Sequence, residues 1–481
     1  MEMAQQSGME GESLLRSERH PIMVQGKPGR WESGEGDRLL RNEPVKLTPA
    51  WEGANLPNDT LNLKGVNMDL APPKDKWRII YFTLMLHGLG TLTAWNMFIT
   101  ANSYFVDYKL VNAPAISTNF LSYLGYAAQL PNLAFSWFNC FVTLKGNLAT
   151  RIIWSLMMEV LLFVVTIALA MINSEAWPVA FFWITMATVF IMNAFNAIFQ
   201  NSVFGVAARL PPSYTGAVVL GSNVCGTLVV LLQWLASAAG DSPRTSAIYY
   251  FIGGMFVLLV CFDTYFALPL NRFYRYYDTI EQRTRGSDST QKQPTKVPYG
   301  TIFKKSWVQL YNIFSIFFVS LAVFPAVQTK IKLSSEDFII KDQDSFDRFT
   351  CFLTFNVMAM IGNITGTLWR FPSRRWLVVF TSVRYLLIPV FLVCNYSVPG
   401  RTLPILITND WLYWFLAALL GWSSGHGSSL GMMYVGQTVP SELSPKAGMI
   451  GGATLVTGIV AGIAFSNLCP LIVSASFWSG I

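Results

Sequence analysis

Charge is scarce in this chain. Of its 481 residues only 13% are Asp, Glu, Lys or Arg and three are His, whereas 52% are hydrophobic. A water-soluble protein carries about 25% charged residues, so a soluble globular body is excluded. The six cysteines (Cys140, Cys225, Cys261, Cys351, Cys394 and Cys469) stand singly in apolar runs without metal-ligand spacing. A disulfide framework and a zinc site are therefore not expected. No cleavable signal peptide is expected either, because residues 1–73 are polar and charged. Phosphate-cradling GxxxxGK[ST] loops, HExxH and the nucleophile elbow are all missing. Gly425-His426-Gly427-Ser428 frames a serine with glycines, but not at the elbow's spacing. The reading is a non-enzyme with no cofactor and no metal. The net charge of +7 does not point to nucleic acid, since the basic residues cluster in short loops, as orientation in a membrane requires.

What the chain has is apolar length. Runs of 18 or more residues recur along most of it, the mark of an all-α polytopic protein with the lipid bilayer as its solvent. Eleven transmembrane helices are predicted, near 78–103, 116–144, 151–173, 177–208, 214–238, 246–270, 306–329, 349–369, 376–395, 411–439 and 447–473. Lys74, Lys76, Arg78, Lys145, Arg151, Arg209, Arg272, Arg370, Arg374, Arg375 and Lys446 fall on one side. Asp107, Glu175, Asp241 and the acidic stretch from Glu336 to Asp347 fall on the other. The positive-inside rule makes the amino terminus cytoplasmic and the carboxyl terminus extracellular or lumenal. The polar, basic stretch 272–305 reads as a cytoplasmic linker between a six-helix bundle, 74–271, and a five-helix bundle, 306–481. That 6+5 division predicts two bundles enclosing a central path.

Residues 1–73 read as a disordered cytoplasmic tail. Within it Glu10 precedes Leu14-Leu15, and Glu35 precedes Leu39-Leu40, each after three spacers. Both resemble the acidic dileucine signal that binds clathrin adaptors. They set residence in endosomal or lysosomal membranes against the plasma membrane, which is the leading expectation.

Polar groups inside the apolar runs mark the candidate site. Asn193, Asn196 and Gln200 fall at i, i+3 and i+7 and share one helix face. Buried amides need hydrogen-bond partners or a wet cavity; three on one stripe indicate a path for a polar solute. Trp95 and Asn96 set a ring beside an amide at mid-depth, and Gln129-Leu-Pro131-Asn132 combines a proline with two amides. Gly88 and Gly90 read as helix-packing residues. Glu159, Arg384, His87, His426 and Asp263 are the ionisable groups within spans. Such groups are functional or paired; a Glu159–Arg384 pair is one expectation, and an acid facing the cavity, favouring organic cations, is the other.

The run Gly88-Leu-Gly90-Thr91-Leu with Trp95-Asn96 resembles the first span of the equilibrative nucleoside transporter family. So do Ala197 to Gln200 with Ser202 and Gly205, Ser213-Tyr214-Thr215 and Gly221, and Arg272 through Tyr277. Phe324-Pro325, Phe352 through Asn356, Arg384, Cys394-Asn395 and Ser423 through Gly425 extend the likeness from about Lys74 onward. The resemblance implies a major-facilitator-like, sodium-independent uniporter of nucleosides such as adenosine and uridine, and in some members of nucleobases. It implies that Trp95, Ile99, Asn132 and Gln200 line the substrate site, with Gln200 on the base and the small Ser202 and Gly221 beside the path; Arg384 matches a family position. Where the family has an Asp and, one turn later, an Arg, this chain has Ala359 and Asn363; where it often has Tyr, this chain has His426. The lost charge pair keeps two alternatives open: a carrier of another solute, such as monoamines, and a non-transporting sensor or scaffold.

Overall fold

A helix in lipid must satisfy its own backbone, and this chain starts its helices on residues suited to that. Pro178, Pro212 and Pro243 occupy first-turn positions, where a missing N–H costs nothing. The Asn409 side chain accepts from the amides of Trp411 and Leu412. The Asp75 carboxylate accepts from the amides of Ile80 and Tyr81 at 3.3 and 3.2 Å. It also receives the Tyr214 hydroxyl at 3.0 Å, tying two helix starts together.

The computed structural model describes residues 73–117, 119–142, 148–287, 297–334 and 338–474. All lie in one compact unit, Pro72–Ile481. The tail and its Glu10, Leu14, Leu15, Glu35, Leu39 and Leu40 lie outside the described residues. The principal helices are α1 (Ile79–Thr100), α2 (Phe120–Phe141), α3 (Leu148–Met171), α4 (Pro178–Ala207), α5 (Pro212–Ala239) and α6 (Pro243–Ala267). Then come α7 (Arg272–Ser287), α8 (Tyr299–Val323), α9 (Thr354–Trp369), α10 (Leu377–Leu392), α11 (Asp410–Val435) and α12 (Ser444–Ser466).

Among the described residues, seven helical stretches are long and apolar enough to cross a membrane; they contain α3, α4, α5, α6, α8, α9 and α12. Helices α1, α2 and α11 have 22, 22 and 26 residues, but polar and glycine positions dilute their apolar character. Helix α10 is shorter and holds a 3-10 turn at Arg384–Leu386. The stretch read as linker is partly helical: it contains α7, and α8 begins within it. Its polarity concealed an amphipathic helix. Phe273 is buried on the Tyr214 ring at 5.0 Å, and Arg209 holds Asp278 at 3.2 Å.

Helix α1 crosses α5 so closely that a Cβ on Gly88 would strike the Val218 backbone, and one on Gly221 the Met85 backbone. Only glycine permits that approach. Helix α2 packs on α4, and α3 on α4 and α6. Beyond the linker, α8 packs on α12 and α11, and α9 on α11. The two groups meet where α12 lies against α4 and α2, and where α11 and α9 lie against α5. One apolar core runs from α1–α6 into the end of α11 and the start of α12; a second lies among α8 to α11.

Candidate functional site

The site is built where the two helix groups face each other. On α4 the exposed residues Trp183, Ile184, Phe190 and Ile191 form one flank. At about 100° per residue the stripe Asn193, Asn196 and Gln200 falls on the opposite flank, at 2%, 0% and 3% exposure. Asn193 satisfies itself on the Val189 carbonyl at 2.9 Å. Asn196 bonds through neither side-chain atom, and the Gln200 Oε1 is likewise buried without a partner. Unsatisfied amides of this kind ask for a guest.

A second set of amides surrounds Gly226 of α5. A Cβ there would stand 3.4 Å from the Asn356 Oδ1 of α9 and 4.0 Å from the Asn96 Oδ1 of α1. Each of these asparagines spends its Nδ2 on its own helix, Asn96 on Leu92 at 3.0 Å and Asn356 on Phe352 at 2.9 Å. One carbonyl oxygen from each helix group is thus turned toward the same glycine. Asn96 is one of the polar groups that mark the site in the sequence, whereas Asn356 stands there only as the end of the Phe352 through Asn356 run.

At the linker side the groups are joined directly. The hydroxyl of Ser444 donates to Ala208 and that of Tyr299 to Cys140, at 2.6 and 2.9 Å, and the Lys446 ammonium reaches Cys140 at 3.3 Å. The Trp137 indole of α2 donates to Thr457 of α12 at 3.0 Å.

The model of the nucleoside transporter family matches residues 186–470, more than half of the chain. Human equilibrative nucleoside transporter 1 is 30% identical, the match covering 83% of this chain and 99% of that one. This chain belongs to the equilibrative nucleoside transporter family. Human equilibrative nucleoside transporter 2 is 29% identical over 82% of this chain and 98% of its own. A plant relative, equilibrative nucleotide transporter 1 of Arabidopsis thaliana, is 25% identical over 89% and 96%. Among solved structures, the proton:xylose symporter XylE superposes with a TM-score of 0.57 at 10% identity, covering 84% of this chain and 90% of that one. The fucose:proton symporter FucP of E. coli gives 0.50 at 14% identity, over 83% and 96%. The fold is that of the major facilitator superfamily, and the protein is a multi-pass membrane transporter rather than an enzyme.

In this member of the equilibrative nucleoside transporter family the candidate residues are distributed unevenly. Asn196 and Gln200 belong to the unsatisfied stripe. Trp95 and Ile99 are half-buried on α1, which packs on α4 and α5. Gln129 is half-buried and Asn132 buried on α2, where α2 runs helical through Pro131 and Asn132 accepts from Ser136 at 3.5 Å. Ser202 accepts from Asn139 at 3.4 Å, and Asn139 in turn accepts from Arg151 at 2.9 Å, a network tying α2, α3 and α4. Asn363 takes Ser429 at 2.6 Å and leaves its buried Nδ2 free of partners. His426 is held by Thr365 at 3.0 Å and by the Phe371 carbonyl, with its ring on Trp422.

Arg384 is consumed within its own half. It donates to Ser423 at 3.0 Å, to the Ile316 carbonyl at 2.9 Å and to Ser320 at 2.8 Å. The expected Glu159–Arg384 pair does not form, because Glu159 sits among α3, α4 and α6 with both oxygens unpartnered. Four hydrogen bonds to uncharged oxygens, the fourth to the Leu420 carbonyl at 3.5 Å, hold the guanidinium within α8, α10 and α11.

Proposed function

We infer that the protein is a facilitative, sodium-independent carrier of nucleosides that works by alternating access. The observation that carries this is the set of buried, unsatisfied amides on α4 and α9, in a chain of this family. An amide both donates and accepts, so Gln200 suits the edge of a base. The Oδ1 atoms of Asn96 and Asn356 suit ribose hydroxyls, which donate. Trp95 supplies a flat apolar wall, with Ile99 and Asn132 beside it.

The halves 74–271 and 306–481, joined by 272–305, rock about this layer. The hydrogen bonds at the linker side hold the two halves together at that end in the conformation described. Helices α1, α2, α10 and α11 cross with the seven more apolar stretches, giving eleven passages. The amino terminus is then cytoplasmic and the carboxyl terminus is on the far side. The plasma membrane is the residence we assign, with the two dileucine segments able to recruit clathrin adaptors for endosomal or lysosomal delivery.

Uptake of labelled adenosine and uridine into transport-null cells tests the reading. Gln200→Ala is expected to lower uptake at least tenfold, which is about 1.4 kcal/mol of binding, at unchanged surface expression. Uptake of a monoamine but of neither nucleoside would instead favour a carrier of organic cations.

A further inference from the structure

Glu159 stands apart from the candidate transport site. It is 0% exposed, midway along α3, and neither carboxylate oxygen has a partner. Helix α3 packs on α4 and α6. Helix α4 contains no ionisable residue at all. From α6 the Cys261 thiol comes within reach of the carboxylate's charge, while Asp263 is exposed and Arg244 lies at the far end. Tyr265 of α6 faces His87 of α1, the rings 5.7 Å apart. On α3 itself the ionisable neighbour is Arg151, already committed to Asn139. No cation among these groups neutralises Glu159.

The same core holds an unpartnered base. His87 is 1% exposed with both ring nitrogens free of hydrogen bonds. Its ring meets Phe199 of α4 at 6.2 Å as well as Tyr265. Three residues on, a Cβ at Gly90 would touch Cys261 at 2.9 Å and Phe199 at 3.3 Å. The bundle α1–α6 thus buries an acid and a base, each without a partner.

A lone negative charge in such a place is costly, and something positive must accompany it. A metal cation would need several oxygen ligands, whereas this core offers a thiol and aromatic rings. A proton needs none. We propose that Glu159 is a proton-binding site, and that its protonation permits the movement of the six-helix half during transport. The proton comes from the aqueous phase, bonds to one Glu159 oxygen and leaves the carboxyl neutral. When it departs, it returns to the aqueous phase, and the carboxylate then draws water between α3 and its neighbours. The close packing described here is that of the protonated form.

This rests on the reading of the protein as a nucleoside carrier only in its transport arm, so two measurements are paired. The first is labelled-adenosine uptake from about pH 5 to 8.5 for the wild type and Glu159→Gln, with surface expression measured in parallel. Wild-type uptake should rise as pH falls, by up to about tenfold per unit, the limit for one proton. Glu159→Gln, neutral at every pH, should be flat. The second is infrared difference spectroscopy of the purified protein in lipid discs. It should show the carbonyl stretch of a protonated carboxyl that comes and goes with pH and is missing from Glu159→Gln. A titrating band without adenosine uptake keeps the proton site and discards the nucleoside reading. A wild-type profile that is flat or rises with pH, or one that Glu159→Gln retains, overturns the coupling. If the Gln variant does not fold, the wild-type band and profile decide alone. Replacing sodium with potassium at constant pH should change nothing, and a sodium requirement would overturn the choice of a proton.

Discussion

The hydroxyl of Ser444, first residue of α12, donates to the backbone carbonyl of Ala208, just past the end of α4, at 2.6 Å. It links the two halves across the linker-side mouth. Behind it, a Cβ on Gly452 would stand 2.7 Å from the Asn201 Oδ1 and 3.1 Å from the Phe204 ring. Ser444→Ala removes about 1 kcal/mol, enough to shift an equilibrium about fivefold. We expect a population with the linker side open, seen as longer distances between spin labels on α4 and α12. Gly452→Val wedges the same seam and should widen those distances further while lowering adenosine uptake.

Arg384 holds α8, α10 and α11 together through Ser423, Ile316 and Ser320. We expect its role to be architectural. Arg384→Gln should lower folding stability by about 2–4 kcal/mol through lost charge-assisted hydrogen bonds, read as a lower Tm in detergent. Arg384→Lys should not restore it, because one ammonium cannot reproduce the guanidinium fork. A variant with wild-type Tm and impaired uptake would place Arg384 in the substrate path instead.

Restoring the family's charges at 359 and 363 should fail. Ala359 is 2% exposed, and a Cβ on Gly425 of α11 would already strike its backbone. Asn363 is fixed by Ser429. Ala359→Asp with Asn363→Arg buries a new ion pair in a crossing built for small groups, at a cost on the order of 3–5 kcal/mol if the pair is not well formed. Surface biotinylation should show a loss of folded protein with no gain in uridine uptake.

Asp75 fastens the start of α1 to that of α5 through Ile80, Tyr81 and Tyr214. Asp75→Ala removes an amino-terminal cap worth about 1–2 kcal/mol. The expected result is a lower Tm with uptake largely retained at 25 °C.

Much of the fold was readable in advance because lipid imposes a simple rule. Apolar length and loop charge locate crossings, and the predicted 177–208 and 214–238 match Pro178–Ala207 and Pro212–Ala239 to within a few residues. Helix α7 was hidden, since a polar surface helix lacks the apolar run that marks a crossing. The amide stripe was legible because Asn193, Asn196 and Gln200 lie on one helix, and helical periodicity alone puts them on one face. Ser202 and Arg384 were equally visible as polar residues in apolar surroundings.

What the chain's order of residues determined, then, is which groups are polar inside a hydrophobic setting and which of them share a helix face. Only the packing of helices decided their meaning. Arg384 found four oxygens within its own half, Glu159 found none, and Asn96 and Asn356, 260 positions apart, came to the same glycine, Gly226. Hydrogen bonding acts over about 3 Å, so whether a buried polar group is satisfied or waiting for a guest depends on neighbours that sequence distance does not reveal.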